Sequence, residues 1–211
     1  MRKTLLIAAL SLGCIAAQAQ KIEIGLNGGM VLHKASGRDF SGPPSGGPTV
    51  NGDLMRSPIG SYGSAKVSVI LKNWQAGIGI DKFRTEIRLN YPPPLSLRNG
   101  DPMHYNLTPY LFGNRLFRLP KSFAYAGING GICNGKSITP TDVSSINLEA
   151  IYSGFFGGVQ AGYTFYFIKH FGVNAELGAR YQQVKYDYTF NTEPTVSQLV
   201  FPVSLGVRYS L

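Results

Sequence analysis

The last thirteen residues read Leu199-Val200-Phe201-Pro202-Val203-Ser204-Leu205-Gly206-Val207-Arg208-Tyr209-Ser210-Leu211. Every odd position is large and apolar, while the even positions are smaller or more polar. Side chains alternate across a strand with period two, so this is a strand with one apolar face and one face that tolerates Arg208 and Ser210.

Seven earlier segments repeat the pattern: residues 22–32, 62–71, 74–88, 103–113, 123–133, 153–167 and the stretch from 171. Each is at least as long as the 9–11 residues a tilted strand needs to cross a bilayer. Two of them carry a flaw. In the third, the alternation slips near Lys82-Phe83, which suggests a bulge and an end projecting past the membrane; in the fourth, Pro109 cannot donate to a ladder. Long stretches rich in Gly, Pro and Ser (33–61, 90–102, 134–150 and 187–197) alternate with short connections at 72–73, 114–122 and 168–170. The prediction is an all-β, eight-stranded antiparallel up-and-down transmembrane β-barrel, with three short turns on the side of both chain ends and four long loops opposite.

Composition agrees. Charged residues make up 15% of the 211, against roughly 25% in soluble domains, and no apolar run is long enough for a membrane helix. Residues 1–19 have the form of a secretory signal peptide. Arg2 and Lys3 precede an apolar run, and Ala17-Gln18-Ala19 supplies the small-x-small site, so cleavage falls before Gln20 and the barrel domain is 20–211. Cys14 raises the alternative of lipoprotein processing, but Ser11 stands where a lipid-attachment box carries Leu. Without Cys14, Cys133 is alone and forms no intramolecular disulfide. Removing Arg2 and Lys3 from the 20 basic residues leaves 18 against 11 acidic, a balance of +7. These cations form no run or stripe, so nucleic acid is not an expected partner.

The charges assign the faces, because Lys or Arg facing lipid at mid-membrane costs about 2–4 kcal/mol. Alternation turns Glu23, Lys66, Asp81, Glu176, Arg180 and Arg208 inward, where an eight-stranded interior is just wide enough for side chains to fill. A plugged lumen with these six in one hydrogen-bonded network follows, including a Glu23–Arg208 contact where the first and last strands close the barrel. An ion path along the same residues is the alternative. Lys72, Arg115, Arg118, Lys121 and Lys169 fall in the short turns, beside anionic headgroups if that rim meets a bilayer. Trp74, Phe117, Phe123, Phe165, Phe167, Phe171 and Tyr209 form an expected aromatic belt at the same rim.

The terminal pattern polar-x-Gly-x-x-aromatic-x-hydrophobic, carried by Ser204, Gly206, Tyr209 and Leu211, resembles the C-terminal signal by which bacterial outer-membrane barrels are recognised for insertion, with Leu211 where Phe is commoner. From 20 to 211 the chain resembles small eight-stranded outer-membrane proteins of the OmpA/OmpX kind, and its Gly-rich strands resemble a Bacteroidetes-type outer-membrane barrel family. The resemblance implies a monomer in the outer membrane of a Gram-negative bacterium, both ends periplasmic. Its implied partners are outer-membrane lipids, lipopolysaccharide and, during insertion, the barrel-assembly machinery. Architecture of this kind implies function weakly. A structural or surface-interacting role leads; a small passive channel for hydrophobic or ionic solutes and a lipid A-modifying enzyme are the alternatives. His33, His104 and His170 show no ligand spacing, no Ser stands beside a His as acyl chemistry requires, and the Gly-rich patches lead into no helix. Neither enzymatic activity nor a metal or cofactor is expected.

Overall fold

A computed structural model of the chain describes residues 21–36, 59–86, 103–140, 147–187 and 195–211. The signal peptide, Cys14 and most of the four long loops lie outside the described residues. Eight strands follow in order: β1 (Lys21–Ser36), β2 (Ile59–Leu71), β3 (Trp74–Glu86), β4 (Met103–Leu119), β5 (Ser122–Pro140), β6 (Asn147–Tyr166), β7 (Phe171–Asp187) and β8 (Thr195–Ser210). Each pairs antiparallel with the next, and β8 closes on β1.

The register fixes the size of the barrel. From Gly25, successive partners are Lys66, Gly79, Tyr110, Gly131, Phe156, Gln182 and Gln198, and Gln198 pairs with Ala35, ten residues along β1 from the start. With about 3.3 Å per residue and about 4.8 Å between strands, that stagger over eight strands gives a tilt of about 41° and a backbone radius of about 8 Å. From Gly25 to Phe156 the same line alternates glycine with bulk, as so narrow a bore requires. A Cβ built on Gly79 would lie 2.4 Å from the ring of Tyr110.

Pro109 sits in a full strand after all. Its ladder to β3 is continuous. Toward β5 the register runs unbroken in phase from Leu107↔Asn134 to Tyr110↔Gly131 but lacks the two pairs between, where the missing N–H would have donated. Pro202 leaves the same two-pair gap between β7 and β8.

The period-two assignment holds on every strand, with two corrections at their ends. The phase of β3 does not slip and there is no bulge: Asp81 and Phe83 are buried, Lys82 and Arg84 exposed, and pairing to β2 and β4 runs on past them. An aromatic residue turned inward at Phe83 made the alternation look broken. The strands also outrun their apolar patterns. β5 and β6 remain paired out to Pro140↔Asn147, and β4 and β5 down to Leu119↔Ser122. The expected turn 114–122 is therefore only Pro120-Lys121, and residues 134–140 and 147–150 are hairpin rather than loop. A ladder beyond the bilayer meets water on its outer face, so nothing forces alternation there.

Candidate functional site

The six charges expected to face inward are all buried inside the barrel. Asp81 on β3 and Arg180 on β7 stand on opposite walls of the ring, yet Nη1 of Arg180 lies 2.5 Å from Oδ2 of Asp81, so this pair spans the bore. Lys66 on β2 donates to both oxygens of Glu176 on β7, at 2.5 and 2.6 Å. The Tyr125 hydroxyl adds a bond of 2.6 Å to Oε2 of Glu176, and Nη2 of Arg208 approaches the same oxygen at 3.7 Å. Lys66 and Arg180 are 2% exposed, Asp81 0%. Tyr110 stands between the two cations, its ring centroid 5.8 Å from the Lys66 ammonium and 5.0 Å from the Arg180 guanidinium. Both cations therefore face π density as well as a carboxylate.

The sixth member behaves differently. β1 and β8 pair as expected, with Glu23 opposite Ser210 and Arg208 opposite Gly25, but Arg208 makes its ion pair with Glu176, not with Glu23. The reason is Gly25: lacking a side chain, it lets the guanidinium pass over its backbone, where a Cβ would lie 2.4 Å from Nη1. Glu23 instead accepts from the Tyr166 hydroxyl and, at 2.8 Å, from Gln75.

Behind Gln75 runs a set of amides that sequence reasoning did not single out. Asn129 donates to Gln160, Gln160 to Asn114 and Asn114 to Gln75, at 2.8, 2.8 and 2.9 Å. Every amide points its N–H toward the carboxylate, so the dipoles add along the chain and favour the negative charge at its end. Parity alone marks Gln75, Asn129 and Gln160 as inward; only the register shows them to be neighbours.

Apolar clusters lie to either side of this polar band. Ile70, Leu116, Phe123 and Tyr125, with Tyr166 against them, fill the turn end. Val31, Tyr62, Phe83 and Val200 form a cluster toward the loop end, while a third, Tyr110, Phe112, Cys133, Tyr152, Phe156 and Val184, reaches into the charged band, where Lys66 and Arg180 lie over its rings. Phe123 is thus in the lumen, 7% exposed, and is not part of the aromatic belt. The other six aromatics keep an outward place, and Phe171 and Tyr209 pack with ring centroids 4.8 Å apart.

The terminal motif has a folded role as well. Ser204 is buried inward, and a Cβ on Gly206 would fall 2.0 Å from Oδ1 of Asn27, so only glycine fits beside Asn27 at the β1–β8 seam. Tyr209 faces out, and the Leu211 N–H donates to the Ile22 carbonyl at 2.9 Å, closing the seam to the last residue.

Of the basic rim residues, Lys72, Lys121 and Lys169 lie in turns, while Arg115 and Arg118 belong to β4. The Arg115 guanidinium lies 5.0 Å from the Trp74 ring centroid. Arg118 donates through Nε (3.1 Å) and Nη2 to the carbonyl of Lys72, whose φ of 50° makes the tight β2–β3 turn. His33 is buried and bonded to Gln198 at 2.8 Å near the loop end, and His170 is bonded to the Ser210 carbonyl at 2.6 Å near the turn end. Among the described residues no three His, Cys, Asp or Glu side chains could share a metal ion.

A closed antiparallel barrel, apolar outside and filled with paired charges inside, defines a small transmembrane β-barrel protein. No family model matches the chain, and no curated protein does. Solved structures do match. The outer membrane protein OprG from Pseudomonas aeruginosa is 11% identical with a TM-score of 0.54, covering 92% of this chain and 97% of its own. The outer membrane protease OmpT from Escherichia coli is 8% identical with a TM-score of 0.51, covering 92% and 97%. At such identities the likeness is one of fold alone, and that fold is the architecture expected from the OmpA/OmpX-like resemblance.

Proposed function

We propose that the protein is a monomeric, non-enzymatic barrel of a Gram-negative outer membrane, with both chain ends periplasmic. It acts as a structural or surface-interacting element, not as a conduit. The observation that carries this reading is the Asp81–Arg180 pair joining opposite walls, with Lys66, Glu176 and Arg208 forming a second bridged level. An ion entering the bore would have to break two desolvated pairs and displace aromatic side chains toward both ends, and an uncompensated buried charge costs several kcal/mol. Function then falls to the outer wall and the long loops, which would contact lipopolysaccharide or outside partners. The barrel-assembly machinery is the partner implied by the Ser204, Gly206, Tyr209 and Leu211 signal.

Planar-bilayer recording tests the reading. Purified, refolded protein should give no steady conductance steps; reproducible single-channel openings would replace the reading with the passive-channel alternative.

A further inference from the structure

The turn end of the barrel holds a depression of about 360 Å³. Its floor includes Phe123 and Tyr166, whose rings lie 6.2 Å apart, and Tyr166 is anchored from below by its bond to Glu23. Lys21, Arg118, Lys121 and Lys169 surround it, and no acidic side chain is among its described lining residues. The four come from separate parts of the chain: the start of β1, the end of β4, the β4–β5 turn and the β6–β7 turn. Arg118 and Lys121 share one hairpin end, and register and closure bring Lys21 and Lys169 to them. Two are held in place before any ligand arrives, Arg118 by the Lys72 carbonyl and Lys21 by the face of the Tyr166 ring, 5.5 Å from its centroid.

Four cations around one concavity repel one another, and a multiply charged anion converts that repulsion into attraction. Lysine ammoniums act as point charges and arginine as a planar fork, a combination suited to phosphate oxygens. The volume is that of a small-ligand site, and an aromatic floor offers apolar contact to whatever bears the phosphate. We infer that this depression binds a phosphate-bearing anion, either a phospholipid headgroup or a soluble phosphorylated compound, at the turn end of the barrel. The inference is independent of whether the lumen conducts.

Titration calorimetry with inorganic pyrophosphate at low ionic strength tests it, using the full chain in phosphatidylcholine nanodiscs. The double variant Lys121→Gln/Lys169→Gln should weaken binding by about tenfold or more, while Lys82→Gln/Arg115→Gln, which removes as much charge outside the depression, should change it by less than about twofold. Absence from the wild type of both pyrophosphate binding at millimolar concentration and retained phosphatidylglycerol would overturn the inference, as would equal losses in the two doubles. Native mass spectrometry from nanodiscs containing phosphatidylglycerol separates the sources. Retained phosphatidylglycerol that Lys121→Gln/Lys169→Gln loses assigns the site to a lipid headgroup; pyrophosphate binding without retained lipid assigns it to a soluble ligand.

Discussion

Glu176→Gln lowers the stability of the folded barrel by about 3–5 kcal/mol, the cost of leaving a buried charge without its counter-charge. Glu176 is where the network meets: Lys66 donates to both its oxygens, Tyr125 to one, and Arg208 approaches it. An amide in its place leaves an ammonium that is 2% exposed without the carboxylate it is bonded to. Lys66→Met costs less, because Glu176 keeps Arg208 and Tyr125. The double variant Lys66→Met/Glu176→Gln recovers part of the loss, since it removes both members of the pair. Urea unfolding from lipid vesicles, followed by Trp74 fluorescence, measures all three. Simple additivity of the two single changes would mean the pair is not coupled.

Ile128→Lys destabilises the barrel by about 2–4 kcal/mol in a bilayer, whereas Leu119→Lys at the turn end costs about 1 kcal/mol or less. Ile128 is 69% exposed and Leu119 55%, so exposure does not separate them. Height does. Ile128 lies six residues along β5 from Ser122, which at the barrel's tilt is about 15 Å from the turn end and near the middle of an apolar band about 25 Å tall. In a protein whose outer face met water, both substitutions would be close to neutral. Comparable unfolding midpoints for the two variants in vesicles would therefore argue against a lipid-facing wall.

Lipid forces one face of each crossing segment to be apolar, and that constraint made the fold legible. Eight alternations, three short connections and the inward parity of Lys66, Asp81, Glu176, Arg180 and Arg208 could all be read from the sequence. Where the constraint lapses, legibility lapses too. The extensions at 134–140 and 147–150 lie past the apolar pattern, and Phe83 and Phe123 are apolar residues turned into a lumen presumed polar. Pairings across the bore lie beyond parity, because they depend on stagger. Nothing in the sequence shows that the closing line climbs ten residues. That climb and the bare backbone of Gly25 decide that Arg208 turns to Glu176 and leaves Glu23 to Gln75 and Tyr166. The four-cation depression was half visible: Arg118, Lys121 and Lys169 were marked as rim residues, but Lys21 joins them only when β1 closes on β8.

The outer wall of the barrel faces hydrocarbon. Leu205, 71% exposed on β8, can be replaced by Trp in a Trp74→Phe background and the protein refolded into vesicles whose lipids carry bromine deep in the acyl chains. Strong quenching with a blue-shifted emission is the predicted result; unquenched emission at the wavelength of a water-exposed indole would contradict it.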